Sequence, residues 1–265
     1  MIDIVNASPF VIGALTIAVL MLGVWTTSLI ITDASIIDMF WGGGYALVAL
    51  AVMAATLVSG FAVGTMTLAI GAVVILWGAR LFTHLNIRWR KDGEEDYRYQ
   101  KMRAFHGDKF WWRSFFVVFT LQGVLMFIVA LPVMAAFYFG GAAALPGLSL
   151  LFLGVALFGL YMEASADIQL TKFRALENKP PLLDSGWWKY TRHPNYFGDA
   201  VFWWGIYFAV VAATPEAAWT IIGPIVMNYL LVNVSGVAML ERSLIKKPGY
   251  EEYMQRTNRF VPKIF

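Results

Sequence analysis

Cysteine is absent from the 265 residues, which excludes a disulfide framework, a thiol nucleophile and a Cys-ligated metal site. Charge is scarce: Asp, Glu, Lys and Arg make up 14% of the chain, against about 25% in an ordinary soluble domain. No internal repeat, low-complexity tract or interdomain linker is present, which disfavours a transporter built from two matching halves. No Gly-x-Gly-x-x-Gly turn joins a strand to a helix, so a Rossmann site is not available. No Lys or Arg precedes the first apolar run, which begins after Asp3. A cleavable signal peptide normally has a basic start, so this run is expected to be a retained helix. The sequence also ends without an endoplasmic-reticulum retrieval tail, which points to a bacterial inner membrane, or to the endoplasmic reticulum if the source is eukaryotic.

What is present is apolar: 59% hydrophobic residues and a mean hydropathy of +0.65. Seven runs are long enough to cross a bilayer as helices, which takes about 20 residues each. They are Pro9–Ile31, Ile37–Val58, Phe61–Leu85, Ser114–Phe139, Leu148–Ile168, Tyr196–Ala213 and Ala217–Leu240. All twenty Lys and Arg fall in Arg80–Arg113, Lys172–Arg192 and Arg242–Lys263. With seven spans those three stretches lie on one face, which the positive-inside rule makes cytosolic. The opposite connections, near Ser59–Gly60, Gly140–Gly147 and Thr214–Glu216, have neither Lys nor Arg. The expected fold is an all-α bundle of seven transmembrane helices, with its N-terminus outside the cytosol and its C-terminus inside. Residues 1–265 form one domain, in which 1–140 build a lipophilic chamber and 141–265 build a polar site with the cytosolic loops. The net charge of +3 is explained by topology, so nucleic acid is not an expected partner.

An ionisable group inside a bilayer costs roughly 2.5–3.5 kcal/mol, so it needs a partner, water or a function. Here such groups sit in the cytosolic half of each helix: Asp38, Arg80, His84, Glu163, Asp167, Asp199 and Glu241. Residues four apart share a helix face. Arg80, His84 and Arg88 form one stripe, Glu163 and Asp167 a second with Arg174 seven further on, and Asn195 and Asp199 a third. Facing one interior, the three stripes would line a hydrophilic cavity for a charged cosubstrate. The alternative is that these charges snorkel or pair structurally, Arg80 with Asp38 for example. Trp111-Trp112 and Trp187-Trp188 read as interfacial belts. The Gly42-Gly43-Gly44 triplet reads as a close helix contact.

The loop from Leu182 to Asp199 contains Arg192-His193-Pro194-Asn195-Tyr196, the most specific motif in the chain. Pro194 suits the first turn of a helix, and Arg192 and His193 supply donors suited to phosphate. With the tail Pro248-Gly-Tyr-Glu-Glu-Tyr253, this segment resembles the C-terminal half of the steroid 5α-reductase superfamily. It also resembles the isoprenylcysteine and phospholipid methyltransferases, but Glu241-Arg242 stands where those have a Glu-Glu pair. Asp38 with Trp41-Gly42, Arg80, and Gly93-Glu-Glu-Asp-Tyr-Arg-Tyr99 extend the resemblance to bacterial steroid 5α-reductase-like proteins over nearly the full length.

The resemblance implies hydride transfer from NADPH to the β-carbon of an enone in a lipophilic ring compound, such as a 3-oxo-Δ4-steroid. It aligns Asp167, Arg174, Asn195 and Asp199 with NADPH contacts, Asp199 replacing a Glu, and Glu163 stands where some members have Asn. Arg80, His84, Arg88, Arg192, His193 and Glu241 complete the expected cofactor set, and no metal is expected. Members of the family use an acid on the second helix and a Tyr near the end of the third. Asp38 matches the acid, while Trp77 occupies the Tyr position and supplies only an indole N–H. Aromatics at Trp25, Phe40, Trp41, Tyr45 and Trp77 would flank a fused ring system. Arg88, Arg90, Lys91 and Arg98 are candidates for phosphate oxygens, and Tyr97 and Tyr99 for stacking on adenine. A monomer among membrane lipids is expected. Two other readings are an S-adenosylmethionine-dependent membrane methyltransferase and a non-catalytic lipid-binding protein.

Overall fold

A computed structural model of the chain describes residues 8–140 and 147–263. Asp3 and most of the connection that lacks basic residues between the fourth and fifth runs lie outside the described residues. Helices dominate: α1 (Pro9–Ile31), α2 (Phe40–Val58), α3 (Thr65–Asp92), α4 (Tyr97–His106), α5 (Phe110–Ser114), α6 (Leu121–Phe139), α7 (Gly147–Arg174), α8 (Pro194–Ala213), α9 (Ile222–Tyr229), α10 (Val237–Leu244) and α11 (Tyr250–Arg256). Among the described residues there is no strand, only an isolated parallel bridge between Thr191 and Asn258. Among the described residues, seven helical stretches are long and apolar enough to cross a membrane. The protein is a multi-pass membrane protein, as lipid-exposed backbone must bond within its own helix.

The helices depart from the apolar runs mostly where polar residues continue them. The second span opens with a 3₁₀ turn, Ala34–Met39, started by Asp33, whose side chain accepts from the Ser35 backbone N–H. The third continues to Asp92, past the last apolar residues, because the long Arg88, Arg90 and Lys91 side chains can reach water. The fourth is helical back to Tyr97 through a 3₁₀ turn, Gly107–Lys109, and a π-helical stretch, Phe115–Thr120. The seventh joins a 3₁₀ segment, Pro215–Ile221, to α9, a second π-helical stretch, Leu230–Val234, and α10.

The chain divides into two compact units. The first comprises Met1–Leu145 with Ala213–Thr220, and the second Pro146–Ala212 with Ile221–Phe265. In the first, α2 and α3 cross where Gly42 meets Gly78. A side chain at Gly42 would place its Cβ 2.7 Å from the Gly78 carbonyl oxygen and 2.7 Å from Leu81 Cβ. Gly44 likewise leaves room for the Met126 thioether, so the triplet does serve helix packing. Val52, Ile70, Val74, Phe119, Met126 and Met134 fill the interior.

In the second unit α7 and α8 run antiparallel in near-backbone contact. A Cβ on Gly198 would lie 2.6 Å from the Glu163 backbone nitrogen and 2.7 Å from the Gly159 carbonyl oxygen. Two turns on, one at Gly205 would lie 2.5 Å from the Ala156 backbone nitrogen. Such small-residue contacts are how membrane helices gain van der Waals attraction without a hydrophobic driving force. The register also fixes which polar side chains face each other, namely those one turn closer to the start of α8.

Candidate functional site

In the first unit the polar side chains gather on Asp38, at the junction of the 3₁₀ turn and α2. Its Oδ2 accepts from the Arg98 guanidinium at 2.5 Å, and its Oδ1 from the Tyr99 hydroxyl at 2.6 Å. The Tyr99 oxygen accepts in turn from Gln122 Nε2 at 3.3 Å, and Gln122 Oε1 accepts from the Trp41 indole N–H at 2.5 Å. Tyr99 is buried at 5% exposure, whereas the Asp38 side chain is 34% exposed. Asp38 and Arg98, whose side chain is 30% exposed, are thus the charged members of this group that a bound molecule can reach.

The motif from Gly93 to Tyr99 is what docks α4 there. Glu95 accepts from the Ala34 backbone N–H at 2.7 Å and from Arg103 at 2.8 and 3.0 Å, while Arg103 also donates to the Thr32 carbonyl. Asp96 caps α4 by accepting from the Arg98 backbone N–H, and its carboxylate also meets the Arg98 side chain at 2.8 Å. Burial would raise the Asp96 carboxyl, but the hydrogen bonds and charge of Arg98 outweigh it and hold the group below the ordinary carboxylate range. Trp89 donates to Asp33 at 2.8 Å.

These contacts correct two expectations. Arg98 is engaged by Asp38 and Asp96 instead of standing open for phosphate, and Tyr99 is buried with its hydroxyl on Asp38, so its ring offers no face to an adenine. Arg98 is a cation paired with Asp38. Trp77 is fully buried on α3 with its ring 5.8 Å from Tyr45, and the tyrosine that reaches the acid comes from α4. Arg80 and His84 are half-buried on α3, and Arg88 is exposed and paired with Asp92 one turn on at 3.4 Å.

In the second unit the second and third stripes do come together. Asn195 Nδ2 donates to Asp167 Oδ1 at 3.1 Å between α8 and α7. Glu163, Asp167 and Asp199 are all buried, and Arg174 is exposed at the end of α7. The Asn195 Oδ1 is buried and accepts no hydrogen bond. Such an atom is uncommon in folded proteins.

Arg192 and His193 do something else. The Arg192 guanidinium forks onto Glu241, Nε to Oε1 at 2.9 Å and an η-nitrogen to Oε2 at 3.0 Å, and its other η-nitrogen donates to the Thr257 carbonyl at 2.6 Å. His193 Nε2 lies 2.9 Å from Glu241 Oε1, and the Tyr250 hydroxyl donates to the same oxygen at 2.7 Å. Arg192 and His193 are buried, so the donors read as suited to phosphate are spent inside the unit. Burial opposes the Arg192 charge, yet Glu241 raises the guanidinium above its ordinary value. Burial, and then donation to Glu241, push the Tyr250 phenol well up. The tail is tied down further: Tyr253 donates to the Trp188 carbonyl at 2.5 Å, and the Lys263 backbone N–H to the Tyr190 carbonyl at 2.8 Å. Trp188 is buried and Trp187 bonds Ser165 at 2.7 Å, so this pair packs within the unit and is not a belt. Trp111 and Trp112 remain exposed as a belt requires.

Gln122 and Tyr250 escaped the sequence reading as site residues. Tyr250 lies in the quoted tail motif, whereas nothing local marks Gln122.

A multi-pass helical protein with a partly exposed, hydrogen-bonded acid in one unit and three buried acids, one of them bonded to an Asn, in the other is the class that fold and site define. The chain belongs to the family described as "Protein of unknown function (DUF1295)", whose model matches residues 24–257. It is also similar to an uncharacterized protein of Schizosaccharomyces pombe, with 25% identity across 98% of this chain and 81% of that protein. No solved structure matches it.

Proposed function

We propose that this protein is an NADPH-dependent reductase of a lipophilic ring enone, of the 3-oxo-Δ4-steroid type, in the manner of the steroid 5α-reductase-like proteins it resembles. The observation that carries this reading is the Tyr99 hydroxyl 2.6 Å from a partly exposed Asp38. Reduction of an enone at its β-carbon builds negative charge on the carbonyl oxygen, which needs a hydrogen bond or a proton where it forms. For that step Asp38 would carry the proton, give it to the enolate oxygen and regain one from water, while Tyr99 and Arg98 hold both of its oxygens in place. The half-buried Trp41 ring, backed by the buried rings of Tyr45 and Trp77 with successive centroids 6.2 and 5.8 Å apart, is the aromatic surface beside Asp38.

The second unit takes the cosubstrate. NADPH, when bound, supplies the hydride. Asp167 holds Asn195 through its Nδ2, the occluded Asn195 Oδ1 would accept a carboxamide N–H only once the side chains around it move on binding, and Glu163, Asp199 and Arg174 would complete the hold. The basic stretches put this face in the cytosol, with the bacterial inner membrane as the proposed location.

The test is ligand protection against heating in detergent, since a molecule that binds only the native state raises its stability. NADPH is expected to raise the melting temperature more than NADH or S-adenosylmethionine, and Asn195→Ala to abolish the effect. Protection by S-adenosylmethionine alone would move the reading to methyl transfer.

A further inference from the structure

We infer that Gln122, oriented by Trp41, is a positioning residue that directs the Tyr99 hydroxyl proton onto Asp38. The inference rests on the reductase reading for its catalytic meaning, but the direction of the hydrogen bonds is argued from the geometry alone.

An indole N–H only donates, so the Trp41 contact at 2.5 Å fixes Gln122 Oε1 as the acceptor. The amide is planar, and its other end must therefore present the NH2 group. That group meets the Tyr99 oxygen at 3.3 Å and donates to it. A phenol has one proton, and with Gln122 donating to its oxygen that proton is left for Asp38 Oδ1 at 2.6 Å. The chain from Trp41 through Gln122 and Tyr99 to Asp38 thus has one direction, set at its far end by a group that cannot reverse. An amide whose flip is usually a matter of assignment is here determined by its neighbour.

The position of Gln122 is itself built. It is the second residue of α6, directly after the π-helical stretch Phe115–Thr120. One residue inserted into a 3.6-residue turn rotates everything after it by about 100°, and π-turns of this kind recur at functional sites. Of the titratable groups next to this chain, Asp38 Oδ1 is the acceptor that meets the Tyr99 hydroxyl, the Asp96 carboxylate is engaged by Arg98, and Tyr45 packs its ring against Trp41.

The reversing substitution is Gln122→Glu. Its carboxylate would accept from both Trp41 and Tyr99, turning the Tyr99 proton away from Asp38, and acidification would protonate it and restore a donor towards Tyr99. In full-length protein with 13Cζ-labelled tyrosine, the Tyr99 resonance, assigned by its loss in Tyr99→Phe, is expected to move in Q122E at pH 8 and to return towards the wild-type position at pH 5. In Gln122→Leu it should move without returning. With NADPH and a 3-oxo-Δ4-steroid, kcat of Q122E should fall about 10-fold at pH 8, the size of one hydrogen bond, and recover in acid with the KM for NADPH unchanged.

If Q122E does not fold, Trp41→Phe, which frees the amide to flip, should still displace the Tyr99 resonance. An unmoved Tyr99 signal in Q122E, or in Trp41→Phe where Q122E fails to fold, overturns the inference whatever the activity. A moved and acid-rescued signal in a protein that reduces no enone would instead sink the reductase reading and leave the hydrogen-bond direction standing.

Discussion

The two units are built around the same three chemical groups, a carboxylate, an arginine and a tyrosine, yet they finish them differently. Glu241 accepts from Arg192 through both oxygens, from Tyr250 and from His193, and its side chain is 16% exposed. Asp38 accepts from Arg98 and Tyr99 and keeps a side chain 34% exposed. A saturated carboxylate at a helix end closes a fold, because removing any partner strands a buried charge. A carboxylate held at two oxygens but still reachable can meet something from outside. In each unit a π-helical stretch precedes the cluster, Phe115–Thr120 before Gln122 and Leu230–Val234 before the helix of Glu241. The shared device turns a polar side chain to its partner, and the difference lies in how many partners wait there.

That contrast can be broken most forcefully at Glu241. Replacing it by Ala leaves Arg192 and His193 buried without their acid, and the loss of stability is expected to be about 3–5 kcal/mol, read by unfolding in a denaturing detergent. Asp38→Ala should cost clearly less, because its site is partly open. Gly198→Val forces a branched side chain into backbone 2.6 Å from its Cβ position, and overpacking of this kind costs about 1–3 kcal/mol. The same measurement should register it, together with weaker protection by NADPH, since the contact sets the register of Asn195 on Asp167. Tyr99→Phe is expected to cost only about 1 kcal/mol of stability while suppressing enone reduction, separating the open cluster from the closed one.

The smallest effect sharpens the comparison by pH. The Asp96 pKa is depressed in the folded protein, so its contribution is complete above the ordinary carboxylate value of about 3.9 and is lost as pH falls below it. The Tyr250 pKa is raised, so its contribution is complete below the ordinary phenol value of about 10 and is lost as pH rises beyond it. Asp96→Asn should therefore flatten the acid limb of a stability profile and Tyr250→Phe the alkaline limb, each leaving the other limb in place.

The seven spans were legible because a bilayer forces long apolar runs and sorts Lys and Arg to one side; Pro9–Ile31 matches its helix at both ends. The packing role of Gly42 followed from a glycine triplet inside a membrane helix, and the nearness of Asn195 to Asp167 from two polar stripes expected to face one interior. What was misread were side chains whose partners lie far along the chain. Tyr99 is 61 residues from Asp38 and Arg192 is 49 from Glu241, and no periodicity links such positions. A lone Arg-His pair before a helix looks alike whether it awaits a phosphate or holds a buried Glu. The π-helical stretches, which reset the phase of Gln122 and Glu241, have no mark in an apolar run.

The central claim is that Asp38, held by Tyr99, serves hydride transfer to an enone. Supplying the purified protein with NADPH deuterated at the transferring position and a 3-oxo-Δ4-steroid tests it directly. Deuterium at the β-carbon of the reduced ketone, lost in Asp38→Asn while NADPH still protects that variant against heating, is the expected result. Undiminished deuterium transfer by Asp38→Asn, or no transfer by a wild-type protein that binds both compounds, would contradict it.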